Sequence, residues 1–140
     1  MRTPVDPSKS KFDSEFNTEP PADVITLLSV AFAIVGAGPA GLNAAIEAAN
    51  YGANIVVIDE REESGGQYYK PRTRGFRGKT KEDRQHLEGL KLRARAHESK
   101  VKFFTGQTVW YARKENGIFE LRCSSKEQQV QLFSSALILC

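Results

Sequence analysis

The sequence predicts an α/β domain, a parallel sheet flanked by helices with a small antiparallel β-meander inserted. Three observations carry that expectation. Between Phe32 and Glu60 an apolar run, a glycine turn, an Ala-rich helical pattern and a second apolar run ending in acids follow one another, the order of a strand–helix–strand unit. A second helical pattern and a short apolar run, Val101 to Phe104, repeat that rhythm. Three strand-like segments with polar turns between them then break it.

Residues 1–23 carry Pro4, Pro7, Pro20 and Pro21 among Ser, Asp, Glu and Lys, too little apolar surface to offset ordering entropy, and are expected to form a disordered leader. Residues 24–140 then make one domain. A chain of this length buries about two-thirds of its extended surface, and 40% apolar with 26% charged residues is the composition of an ordinary soluble globular protein. Val24 to Ser29 fits either a helical turn or a lead-in, with the first strand proper at Val30 to Val35.

Gly36, Gly38 and Gly41 follow that strand without a spacer. The first permits a tight turn, the second lets a pyrophosphate approach the backbone, and the third lets helix and strand pack closely. The helix expected from Pro39 to Tyr51 starts with a proline suited to a first turn, and its positive end faces the turn. The second strand, Asn54 to Ile58, ends in Asp59, about 20 positions after the glycines, where a carboxylate accepts hydrogen bonds from a ribose and repels a 2′-phosphate. This combination is a dinucleotide-binding unit, and on spacing alone it serves FAD and NAD equally.

After Asp59 a polar turn closes on Gly65-Gly66-Gln67-Tyr68-Tyr69. Two successive glycines allow close approach to a ligand or positive φ, and also suit a plain flexible loop. Residues 70 to 84 hold seven Lys or Arg against Glu82 and Asp83, in a chain of net charge +3. Without stacking aromatics or a nucleic-acid fold signature this reads as a solvated or guiding loop, with no nucleic-acid partner. Thr80 and Asp83 resemble a capping box for a helix from about Lys81 to Ala96, whose Leu87, Leu90 and Ala94 stripe should lie on the sheet. His86 and His97 near its ends read as exposed and non-catalytic. Val101 to Phe104 is expected as a third parallel strand on the other side of the first.

The meander comprises Thr108 to Ala112, Ile118 to Cys123 and Val130 to Phe133, with Glu115-Asn116-Gly117 as a strong hairpin signal. A separate apolar run, Ala136 to Cys140, would return to the parallel sheet. Cys123 and Cys140 are the only cysteines, and without His or Cys neighbours at ligand spacing they make neither a metal site nor a disulfide framework. The longest mostly apolar run, Val24 to Val35, is shorter than the roughly 20 residues of a membrane span. The leader lacks a basic signal segment, so cytoplasmic residence is expected.

Together these features resemble the N-terminal part of the FAD-binding, Rossmann-like domain of two-dinucleotide-fold flavoprotein oxidoreductases. Asp59-Glu60, Gly65-Gly66-Gln67-Tyr68-Tyr69 and Gly106-Gln107-Thr108-Val109-Trp110 are similar to its amine-oxidising branch, which includes the opine oxidase A subunit, the sarcosine oxidase α subunit and the larger hydrogen cyanide synthase flavin subunit. The resemblance covers about residues 30 to 140. It implies that Gly36, Gly38, Pro39, Ala40 and Gly41 line the FAD pyrophosphate and that Asp59 binds the adenosine ribose with Glu60 beside it. It further implies that Gly66 and Gln67 approach the pyrophosphate and ribityl side, and that Val109 offers an adenine contact. The implied activity is oxidation of a C–N bond of an amine or amino-acid-derived substrate by hydride transfer to flavin, in partnership with other oxidoreductase subunits. A redox Cys pair, as in disulfide reductases, is disfavoured because Gln67-Tyr68-Tyr69 occupies its place. Members continue into a further Gly turn, an NAD(P)-type domain and a segment closing over the flavin, so the chain is expected to be a truncated part of such a domain. The alternative is a non-catalytic FAD- or NAD(H)-binding fragment, and no catalytic residue can be named.

Overall fold

The structure is a computed structural model that describes residues 25–69 and 84–140. The leader, the basic segment up to Asp83 and the expected Thr80 cap lie outside the described residues. Among the described residues eight elements follow in order: β1 (Ile25–Val35), α1 (Pro39–Asn50), β2 (Ile55–Asp59), α2 (Arg84–Glu98), β3 (Lys102–Thr105), β4 (Thr108–Glu115), β5 (Ile118–Ser124) and β6 (Gln129–Leu139). All six strands join one sheet in the order β3-β2-β1-β6-β5-β4. The first four are parallel neighbours, and β6-β5-β4 run antiparallel.

β2 is buried along its whole length, as an interior parallel strand with both faces covered must be, and Ile-Val-Val-Ile supplies β-branched side chains to both sides. One face carries the core of Ile34, Leu42, Ala45, Ile46, Ile55, Val57, Leu92 and Ala96 under the two helices. The other carries Ala33, Val56, Ile58, Leu121, Cys123, Val130 and Leu132. β4 also approaches β2 across that second face, so the sheet curls back and the meander covers the strands it follows.

Four expectations change. β1 begins at Ile25, so residues 25–29 are strand, and Val24 lies outside the described residues. β3 pairs with β2, Val56 opposite Lys102 through Asp59 opposite Thr105, and does not lie beyond β1. The far edge of β1 is taken along its whole length by β6, from Ile25 opposite Gln129 to Val35 opposite Leu139. The expected third meander strand and the expected returning strand are therefore one strand, whose first half also pairs with β5. Ser134-Ser135 reads as a break between two apolar runs, yet Val130, Leu132 and Ser134 share one buried face, and an eleven-residue partner keeps the backbone extended through them.

The fourth change concerns α2. Its buried residues are Gly89, Leu92 and Ala96; Leu90 and Ala94 are exposed and Leu87 is half-buried. Small side chains decide the face, because α2 packs against α1, Leu92 and Ala96 join one core with Ile55 and Val57 of β2, and Tyr69 fills the space above Gly89. Of the two histidines, His97 is exposed beside Phe103, with ring centres 4.7 Å apart, and His86 is half-buried. The hairpin signal is met: Asn116 and Gly117 have φ of 49° and 82°, and Glu115 pairs with Ile118, the two-residue turn that matches strand twist.

Candidate functional site

The carboxyl ends of β1, β2 and β6 meet the amino end of α1, the place where open α/β sheets bind ligands. The glycine turn joins them. Gly36 has φ +108°, its N–H donates to the Ile58 carbonyl at 2.8 Å, and a Cβ on it would collide with the Cys140 carbonyl oxygen. A Cβ on Gly41 would collide with the Gly36 carbonyl oxygen. The fold itself requires glycine at both positions, one for its φ and its neighbour, the other for close helix packing.

Gly38 differs. Its φ of −72° and ψ of −177° suit any residue, and a Cβ there would meet nothing within 4 Å. No side chain caps α1 at this residue, and the first turn holds no acid. The fold places no demand for glycine here; the open cradle before a helix amino end is what a phosphate group needs.

The second glycine pair packs behind the first. Gly65 donates its N–H to the Ala37 carbonyl at 2.7 Å, and a Cβ on Gly66, with φ +62°, would stand 3.0 Å from the Gly38 Cα. Tyr69 then closes the turn with an N–H bond to the Gly65 carbonyl at 3.1 Å.

Asp59 is buried, and main-chain groups occupy both of its carboxylate oxygens. Oδ2 accepts the Ala37 N–H at 2.5 Å, and Oδ1 accepts the Arg61 N–H at 2.8 Å. Glu60, the next residue, is exposed. One carboxylate thus ties the glycine turn to the end of β2, and the adjacent one is exposed at the surface.

A cleft of about 390 Å³ runs past these groups. Of the residues singled out from sequence, Gly36, Gly38, Asp59, Glu60, Gly66, Gln67 and Val109 line it. Pro39, Ala40 and Gly41 sit in the first turn of α1 and do not. Arg61, Gln107, Thr108 and Cys140 line it as well and were not singled out. Gln107 and Thr108 precede Val109 directly, and the parallel pairing of β6 with β1 brings Cys140 to Gly36. That pairing was the signal available for Cys140.

A parallel sheet with a glycine turn, a strand-end acid and a cleft at its carboxyl edge defines a dinucleotide-binding domain of the FAD/NAD(P) type. The chain belongs to the pyridine nucleotide-disulphide oxidoreductase family, whose model matches residues 30–140. It is 37% identical over 78 residues to the opine oxidase A subunit of Agrobacterium tumefaciens (strain Ach5), covering 55% of this chain and 16% of that protein. It is 61% identical over 33 residues to the alpha subunit of sarcosine oxidase from Corynebacterium sp. (strain U-96), 24% of this chain and 3% of that one. The fold is similar to that of L-proline dehydrogenase from P. horikoshii, with a TM-score of 0.68 at 21% identity over 84% of this chain and 23% of that one. The chain therefore spans a small fraction of each of these relatives. Both cysteines are free, Cys123 buried in β5 and Cys140 exposed after β6, so no cysteine pair follows the Gly65-Gly66 turn. Among the described residues no helix is long and apolar enough to cross a membrane.

Proposed function

We propose that the chain forms the adenosine and pyrophosphate half of an FAD site in an oxidoreductase that oxidises a C–N bond of an amine or amino-acid-derived substrate. The observation that carries the reading is Gly38, a glycine with no steric or conformational reason in the fold, at the amino end of a helix and on the wall of the cleft. Around it, Gly36, Pro39, Ala40 and Gly41 shape the turn that receives the pyrophosphate, and Gly66 and Gln67 flank it. Glu60, exposed on the cleft wall, takes the ribose hydroxyls, while each oxygen of the buried Asp59 already accepts one main-chain N–H. Asp59 holds the turn in place for it, and Val109 borders the adenine. The names of two relatives, an opine oxidase and a sarcosine oxidase, support the substrate class, and both are subunits, which supports other oxidoreductase chains as partners.

When bound, FAD supplies the hydride acceptor, and the protein supplies position and electrostatics. Residues of this chain bind and orient the adenosine end.

The purified chain, reconstituted with FAD and desalted, is expected to keep flavin absorbance, and Gly38→Asp is expected to lose it while retaining its circular dichroism. A folded Gly38→Asp chain that keeps its flavin overturns the reading. A second reading, a binding module for NAD(H) without turnover, rests on the same cradle, since adenosine and pyrophosphate are common to both cofactors. Bound NAD gives no yellow colour, so retained NADH fluorescence without flavin uptake would favour it.

A further inference from the structure

Gln107 opens the stretch that leads from β3 into β4. Its N–H donates to the Asp59 carbonyl at 2.9 Å, and the preceding Gly106 N–H donates to the Arg61 carbonyl at 3.0 Å. The residue is therefore fixed beside the acid-bearing turn. It lines the cleft, yet it is only 5% exposed, and its side-chain Oε1 has no hydrogen-bond partner among the described residues. Oε1 is itself sealed from solvent; buried side-chain oxygens are paired in the large majority of cases, so an unpaired one on a cleft-lining residue is an acceptor without its donor.

A nucleotide's covalent order decides what that donor is. With the phosphates at Gly38 and the ribose at Glu60, the base falls beyond the strand-end acid, where Gln107 and Val109 form the wall. A carboxamide is complementary to adenine, accepting from the N6 amino group and donating to a neighbouring ring nitrogen. The terminal amide torsion of Gln is broad, so a small rotation turns Oε1 to the ligand. Resting on the dinucleotide reading above, we infer that Gln107 is the side chain that reads the adenine of the bound cofactor, with its unpaired Oε1 held for the N6 amino group.

Binding measurements by calorimetry test this: ADP and IDP to the parent chain, and both to Q107L. IDP keeps the ribose and pyrophosphate but presents two acceptors, O6 and N7, on the edge where adenine presents the N6 donor beside N7, so Oε1 finds no donor there. The parent is expected to bind ADP about tenfold more tightly than IDP, equivalent to about 1.4 kcal/mol. Q107L is expected to weaken ADP about tenfold and bring the two nucleotides level. The same variant removes a buried unpaired oxygen, so its ligand-free melting temperature should equal or exceed that of the parent. A parent that binds ADP and IDP equally, or a Q107L chain that keeps the ADP preference, overturns the inference and leaves the cleft reading intact. A Q107L chain that melts well below the parent would reveal a pairing within the fold and overturn it too. Binding of neither nucleotide nor FAD to the parent overturns both.

Discussion

Cys123 and Cys140 occupy opposite settings. Cys123 is 1% exposed, its Sγ lies 3.7 Å from the Val130 carbonyl oxygen, and burial pushes its thiol up to about 11. At pH 8 roughly one Cys123 in a thousand is thiolate, and that fraction is also shielded. Cys140 is exposed on the cleft wall. An aromatic disulfide reagent at pH 8 should therefore titrate one thiol rapidly in the native chain and two in denaturant, and Cys140→Ser should abolish the rapid one. On the same scale, Arg122 donates to the Glu120 carboxylate at 2.9 Å and Gln131 at 2.8 Å, holding it below its usual 4.5. A depressed carboxylate contributes stability above its unfolded value, and that contribution is lost as pH falls through the folded one. Glu120→Gln should flatten the acid side of the stability profile below pH 4.5, read by urea melts, by a modest amount because Arg122 is partly exposed. Single residues were also where sequence was most informative about the site. Gly36, Gly38 and Gly41 were legible from spacing, but which of them the fold itself requires was not, since that depends on Cys140 and on the Gly36 carbonyl standing over them.

At the scale of elements, α2 shows why the buried face of a helix was misread. Hydrophobicity pointed to Leu87, Leu90 and Ala94; the packed face holds Gly89, Leu92 and Ala96, because the helix must approach α1 and admit Tyr69. A Gly in the middle of a helix ordinarily costs about 0.5–1 kcal/mol relative to Ala. Here a Cβ on Gly89 would stand 2.7 Å from the Tyr69 Cβ, so Gly89→Ala should destabilise by about 1–3 kcal/mol as an overpacked site does. In a Tyr69→Gly background, which removes that Cβ together with the ring, the same change should turn neutral or stabilising. A double-mutant cycle by denaturant melts measures both, and an unchanged Gly89→Ala effect in the second background would refute the contact. The loop is pinned further by Gln85, whose Nε2 donates to the Tyr68 carbonyl at 2.7 Å. The fused β6 was hidden for a related reason. A strand's limits depend on its partner, and the eleven-residue β1 beside it was itself ambiguous over its first half.

For the whole molecule the question is how the sheet's edge, the two glycine turns and the curled meander act as one site. Asp59 is where they meet: its oxygens hold the first turn through Ala37 and its own strand's exit through Arg61, and its carbonyl accepts the Gln107 N–H. Sequence spacing gives this acid the ribose, whereas in the proposed site the ribose goes to Glu60; spacing alone does not show that each Asp59 oxygen also accepts a main-chain N–H. The distinction has separable consequences. Asp59→Ala leaves two main-chain N–H groups without their charged acceptor, at a cost of about 1.5–3 kcal/mol for each such bond, so melting temperature and nucleotide affinity should fall together. Glu60→Gln keeps size and exposure but weakens the acceptor offered to the ribose, so affinity for FAD or ADP should fall several-fold at an unchanged melting temperature. Thermal melts and nucleotide titrations of the two variants side by side decide it. If Asp59→Ala melted like the parent and lost only affinity, the ribose would belong to Asp59, and the junction of turn, strand and meander would rest on contacts other than this carboxylate.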